Sequence, residues 1–324
     1  MASTAPVLAL VGATGLVGSA LLESFLTAVQ DHKLSSLRIL TSSPSSPKLA
    51  RARSTPNVDI LEVNYSDQRT LDDALNGADV LVSAMGASET ELHGRYEENK
   101  EKLVEAAVKG GVKVYVPSSW GTDYTGKNQE IVNSPMFANK LAHFEKAQKR
   151  GLHVLEFYNA LILEISFSDW LGIPISSPSP TWTIPTPSHP VAFTSLTSLG
   201  PSALSAILQT LRSPASPVPS RLRIYSDSLT LDEAADLWEH AAGGKVERVY
   251  KTTEELKERY EEIRPTLKPG MLGPAIPLMI SLGGFDHTTD NANAVLNVGE
   301  FAFKPETVAE FMQQKAAELK QSSA

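Results

Sequence analysis

A chain of 324 residues, 42% hydrophobic and 20% charged, is long enough to bury a large core as one large domain or two closely joined ones. Its formal net charge of -8 argues against a general nucleic-acid binder, and the absence of cysteine excludes disulfides, thiolate metal sites and a cysteine nucleophile. No basic region precedes the first apolar run, and the uncharged stretch near the C-terminus is broken by Pro274, Pro277 and glycines, so the expectation is a cytoplasmic protein with no membrane span.

Residues 7–11 are apolar enough for a strand buried on both faces, and Leu16, Leu21, Leu22 and Phe25 then recur at helical spacing. Glycines at 12, 15 and 18 lie between and within these elements. Gly12 allows a tight turn, Gly15 a close approach of backbone to a pyrophosphate, and Gly18 close packing of helix on sheet. The stretch Gly12, Ala13, Thr14, Gly15, Leu16 and Val17 is therefore the expected phosphate cradle, with free N–H groups at a helix N-terminus.

Strands are expected at 37–41, 58–63, 79–84, 112–117 and 152–158, with helical segments at 70–77, 91–109 and 135–150. This alternation predicts an α/β fold, a doubly wound parallel (Rossmann) sheet with right-handed crossovers. Beyond it, 172–190 and 213–220 read as punctuated loops, and helices are expected at 195–211, 231–242, 251–264 and 305–319. Thr230 and Glu233 form a capping-box pattern at the second of these. The expected division is a nucleotide-binding portion over 1–160 and a smaller mixed portion over 161–324 that closes over it, with substrate between.

The end of the second strand bears on which nucleotide fits. An NAD site places an acid there to bind the adenine ribose. This chain instead offers Thr41, Ser42 and Ser43, followed by Lys48, Arg51 and Arg53, hydroxyls and cations suited to a 2′-phosphate. NADP is the expected cofactor; the competing interpretation is a solvated polar loop. Met85 and Gly86, after the fourth strand, join the expected cofactor contacts.

The G-x-x-G-x-x-G spacing resembles the short-chain dehydrogenase/reductase superfamily. More specifically, residues 115–123 (YVPSSWGTD) resemble the F-x-P-S-E-F-G-x-D signature of its isoflavone reductase-like and NmrA-like branch, with Ser119 in place of the acid and Trp120 in place of phenylalanine. GADVLVSAMG, AAVKGGVKVYVPS, KLAHFEKAQKRGLHVLEFYNALILE and two later segments extend the resemblance over much of the chain. It implies that Lys140 is the residue of the chemistry, as a general acid/base or cofactor ligand. Typical short-chain reductases carry a tyrosine four residues earlier on the same helix face; here that position is Met136. Burial near the cofactor would lower the lysine pKa toward neutrality. Ser118 and Tyr124 are secondary proton-donor candidates, Asn159 is a candidate nicotinamide contact, and Asn99 is read as an exposed helical amide.

None of the seven histidines has metal-ligand spacing, and no G-x-S-x-G elbow is present, so neither metal catalysis nor a serine hydrolase is expected. Trp170, Trp182, Phe193 and residues 271–285 are read either as the wall of an apolar pocket for a small hydrophobic substrate or as core. Three functions stay open: an NADP-dependent reductase of a hydrophobic or aromatic substrate, a nucleotide-binding redox regulator of the NmrA type that signals to a protein partner without turnover, and a nonredox isomerase or cyclase.

Overall fold

The computed structural model describes residues 5–86, 95–126, 128, 131, 135–213, 218–266 and 273–322. Its centre is a parallel sheet. In chain order the elements are β1 (Val7–Val11), α1 (Leu16–Gln30), β2 (Ser36–Thr41), α2 (Ala50–Arg53), β3 (Val58–Glu62), α3 (Gln68–Leu75), β4 (Val80–Ser83), α4 (Arg95–Gly110), β5 (Val114–Val116), α5 (Pro135–Lys149) and β6 (His153–Val154). The strand order is β3-β2-β1-β4-β5-β6, all parallel. Along β1, Leu8 and Leu10 face one layer while Ala9 and Val11 face the other, as the period of two in an extended chain requires. The first layer is filled by Leu21, Leu22, Phe25 and Leu26 of α1, the second by Leu71, Leu103, Val104 and Phe144. The order reverses between β1 and β4, and there the loops leaving the carboxyl ends of the strands part to form a crevice.

Besides two single-turn helices, Leu163–Ser166 and Asn293–Leu296, and short 3-10 turns, the remaining elements are β7 (Glu156–Tyr158), β8 (Leu161–Ile162), β9 (Thr181–Thr186), β10 (Val191–Thr194), α6 (Leu196–Arg212), β11 (Arg221–Arg223), β12 (Asp227–Leu229), α7 (Leu231–Ala242), β13 (Glu247–Thr252), α8 (Thr253–Ile263), α9 (Ile276–Ser281) and α10 (Val308–Ser322). Pairs β7–β11 and β9–β13, and the trio β12-β10-β8, form small sheets. A third core joins them around Trp182, Trp238, Phe193, Phe167, Met279 and Phe311. Helix α6 does not belong to that core. Leu199, Ala203 and Ile207 pack with α1 in the first layer of the main sheet, and Gly200 sits so close to α1 that a Cβ there would overlap the Ser24 hydroxyl.

Several expectations are corrected. The sixth strand is not continuous over 152–158: it leaves the main sheet after Val154, and β7 pairs instead with β11, which places Glu156 and Tyr158 in the second sheet. The loop expected over 172–190 contains β9, which runs parallel to β13 despite Pro185. The last helix starts at Val308 rather than Pro305, because Thr307 and Glu310 cap it reciprocally: the Glu310 N–H donates to Thr307 Oγ1 at 3.2 Å and the Thr307 N–H to Glu310 Oε2 at 3.0 Å. The Thr230–Glu233 capping box is present as expected. The expected start of the fourth helix, residues 91–94, lies outside the described residues.

Candidate active site

The glycines of the first turn do different work. Gly12 has φ +80, and a Cβ there would overlap the Ala84 carbonyl; a Cβ on Gly18 would overlap the Gly12 carbonyl oxygen. These two fix the turn against β4 and α1 against the turn. At Gly15 a Cβ would meet only the Gly12 oxygen, at 3.4 Å, so this glycine keeps the open side of the turn clear. Helix α1 begins without a side-chain cap. Leu16 and Val17 therefore offer backbone N–H groups to an anion, while their side chains stay out of the crevice.

The crevice has a volume of about 350 Å³ and brings together Gly12, Ala13, Thr14, Gly15, Thr41, Ser42, Met85 and Gly86, all expected from the sequence. It is completed by Tyr65, Tyr96 and Asn99. No motif marks the two tyrosines, which arrive from beyond β3 and from the first turn of α4. Burial pushes the Tyr65 hydroxyl up to about 12, and the Tyr96 hydroxyl donates to the Met85 carbonyl at 3.2 Å. Asn99 is half-buried on the crevice wall rather than exposed.

The cations after β2 divide. Lys48 Nζ donates to the Thr14 carbonyl at 2.9 Å and so reaches the glycine turn. Arg51 is instead ion-paired with Glu23, and Arg53 donates to the carbonyls of Pro44 and Ser46, each at 2.8 Å, pinning its own loop. Neither lines the crevice. Ser43 also stands outside it, its N–H donating to Thr41 Oγ1 at 3.1 Å. The chemistry present, backbone N–H groups, an open glycine face and the hydroxyls of Thr14, Thr41 and Ser42, with the Lys48 ammonium outside the lining but bonded to the Thr14 carbonyl, fits the phosphates of a dinucleotide.

Lys140 lies on α5, mostly covered, and its ammonium is brought down to about 8, first by burial and then by the charge of Lys100, against which Glu97 acts in the opposite sense. Lys100 is itself buried and paired with Glu97 at 2.7 Å. Ser118 Oγ donates to the Met85 carbonyl at 2.8 Å, tying the loop after β5 to the crevice wall. Tyr124 does not face the crevice as expected: it is fully buried, its hydroxyl is 3.3 Å from Ser119 Oγ, and its ring lies 5.6 Å from Lys140 Nζ. Met136 packs into the third core beside it. His143, three residues after Lys140, faces inward to the Tyr115 hydroxyl at 2.9 Å, and burial brings it down to about 4. Asn159 is fully buried beside the loop after β5, where the N–H of the next residue, Ala160, donates to the Gly121 carbonyl at 3.0 Å. Both polar atoms of the Asn159 amide lack a protein partner, which fits a side chain reserved for a ligand.

Of the two readings held open for the apolar segments, core is the one most of these residues meet. Trp182 and Phe193 are fully buried core residues, with Phe193 stacked on Phe167, while Trp170 is half exposed against Gly273. In α9, Ile276, Leu278, Met279 and Ile280 are buried as well; residues 271 and 272 lie outside the described residues. Among the described residues no cluster of three His, Asp or Glu could hold a metal ion, and no helix is long and apolar enough to cross a membrane.

The sequence model of the NmrA-like family matches residues 4–278. The chain belongs to the NmrA-like family. Its fold is that of a crystal structure of isoflavone reductase, with a TM-score of 0.74 at 18% identity over 96% of this chain and 99% of the other. The binary complex of leucoanthocyanidin reductase with NADPH from Vitis vinifera gives 0.71 at 16% identity over 96% and 99%. The NADPH-dependent quinone oxidoreductase QOR2 from Escherichia coli, complexed with NADPH, gives 0.65 at 16% identity over 95% and 99%. Among curated proteins, the oxidoreductase aprR of Aspergillus flavus is 26% identical over 169 residues, 51% of this NmrA-like chain and 52% of that protein. The alignment thus spans about half the length of that relative.

Proposed function

We propose that this protein is an NADP-dependent oxidoreductase of the atypical short-chain type, which reduces a small hydrophobic or aromatic substrate with Lys140 managing the proton. The observation that carries this reading is the Lys140 ammonium, brought to about 8 by burial on the helix that follows the crevice loops. An amine with that affinity is largely protonated at neutral pH and still gives up its proton readily. Bound NADPH would supply the hydride. The N–H groups of the Gly12–Val17 turn would hold its pyrophosphate, and Thr41, Ser42 and Lys48 its 2′-phosphate. Ser118 and Asn159 would orient the reacting end. The substrate class rests on the apolar, partly exposed Met136 on the lysine helix. The NADPH carried by several proteins of the same fold supports the cofactor.

A regulator without turnover is favoured by one specific feature: Met136 takes the usual tyrosine position, and the nearby Tyr124 hydroxyl is turned into the core. Nicotinamide oxidation across a panel of hydrophobic carbonyl compounds, enones and quinones separates the two. Turnover that falls as pH rises through about 8, and that Lys140→Met abolishes, is the expected result. Tight NADPH binding with no turnover of any compound would establish the regulator instead, and turnover unaffected by Lys140→Met would overturn the lysine assignment.

A further inference from the structure

Glu156 is fully buried in β7, where a carboxylate is costly unless its lone pairs are occupied. They are. Oε1 accepts from Ser119 Oγ at 3.1 Å; Oε2 accepts from the Tyr158 hydroxyl at 3.0 Å and from Arg221 Nε at 3.4 Å. Ser119 has a single hydroxyl proton, and the carboxylate takes it, so at 3.3 Å the serine oxygen is the acceptor for the Tyr124 hydroxyl. The ring of Tyr124 is the one that faces Lys140 Nζ at 5.6 Å. The F-x-P-S-E-F-G-x-D pattern has its acid at position 119; here that position is a serine, and a carboxylate from another strand reaches it.

We propose that Glu156 is a positioning residue for Lys140, acting through Ser119 and Tyr124 as one directed hydrogen-bond chain that sets how tightly the lysine holds its proton. The polarity of the chain gives the sign. While Glu156 is ionised, Ser119 donates to it and Tyr124 donates to Ser119, which enriches the phenol ring facing the ammonium and strengthens the cation–π attraction. Once the carboxylate is neutral or replaced, Ser119 is free to donate to Tyr124, the ring is depleted, and the lysine proton is held less firmly.

Burial holds the Glu156 carboxyl up at about 7, close enough to neutrality for the chain to switch in an ordinary pH range. The other groups facing the chain are Arg221 on β11 and Tyr158 on β7, with Asp123 and its partner Arg223 behind Tyr158. Lys100 and Glu97 on α4 bear directly on Lys140, and changes at Ser119 leave both in place.

The proposal gains its catalytic meaning from the reading of Lys140 given above, but its test does not depend on turnover. Full-length protein is acetylated with acetic anhydride across pH 6–10, and the midpoint for Lys140 is read by peptide mass spectrometry, with thermal unfolding confirming that each variant is folded. Ser119→Ala, Tyr124→Phe and Glu156→Gln should each lower the midpoint by about half a unit, from a wild-type value near 8. Ser119→Thr, which keeps the hydroxyl, should restore it, and the Ser119→Ala/Glu156→Gln pair should shift it no further than either alone. Midpoints unchanged in Ser119→Ala and Tyr124→Phe, or additive shifts in the pair, would overturn the chain. Should Glu156→Gln fail to fold, the Ser119 and Tyr124 variants decide it. A shifted midpoint in a protein that turns nothing over would leave the coupling intact and remove only the proposed activity.

Discussion

Replacing Lys140 by methionine should make the protein more stable at neutral pH while removing the chemistry. The lysine is brought from 10.5 in the unfolded chain to about 8 in the folded one, so the folded state holds this proton less tightly. At about 1.4 kcal/mol per pH unit, keeping the ammonium in place below pH 8 costs about 3 kcal/mol, and about 1–2 kcal/mol once the partial access of the side chain to water is allowed for. The sign follows from proton counting. Between about 8 and 10.5 the unfolded chain binds more protons at this site than the folded one, so the penalty is complete below that window and fades as pH rises through it. Urea unfolding of wild type and Lys140→Met should therefore differ by about 1–2 kcal/mol in favour of the variant at pH 7 and converge near pH 10.5. Comparing the two proteins cancels the groups that titrate in the same range without acting on Lys140. A variant less stable than wild type at pH 7, or an advantage of the same size at both pH values, would refute the burial argument.

Three further outcomes follow from the same geometry. Gly18→Ala forces a Cβ into the Gly12 carbonyl and should lower Tm by at least 5 °C, whereas Gly15→Ala should fold with Tm within about 2 °C of wild type yet lose at least ten-fold in NADPH affinity by calorimetry. Lys48→Ala should weaken NADPH about ten-fold and leave NADH little changed if this ammonium serves the 2′-phosphate, as proposed above; equal losses for both would move Lys48, which bonds the Thr14 carbonyl, to the pyrophosphate. Arg223→Met strands the buried Asp123 carboxylate, which accepts from Arg223 Nε at 2.8 Å, and should cost about 2–4 kcal/mol in urea unfolding at pH 7, while Arg53→Met, at the exposed loop, should cost under about 1 kcal/mol.

The glycine turn at the crevice was legible because its constraints are steric and local. Gly12 and Gly18 are where no larger residue fits, and their spacing alone locates the turn, β1 and α1. The rest of the crevice and its surroundings were less legible. Tyr65, Tyr96 and Lys100 reach their places through packing between elements far apart in sequence, which leaves no spacing to read. The fate of the cations was hidden for a related reason: composition shows that Lys48, Arg51 and Arg53 are present, but Glu23, which claims Arg51, comes from α1, 28 residues away. In the second half, β9 was obscured by its Pro-, Ser- and Thr-rich surroundings, since its pairing with β13 lies at a sequence distance that no local pattern encodes. Glu156, after the apolar pair Val154 and Leu155, was the one signal that 152–158 is not a single strand: a charge at that point has to leave the sheet core and find Arg221.

The closeness of α6 to α1 at Gly200 bears on how this protein can be handled in pieces. One flank of α1 is covered by a segment encoded some 170 residues after it, and Leu199, Ala203 and Ile207 complete the same core as Leu21 and Phe25. A fragment cut after the last strand of the main sheet would expose that apolar face to water and should aggregate instead of serving as a free-standing nucleotide-binding module. Insertion tags and split-protein designs are better directed at junctions outside this helix pair.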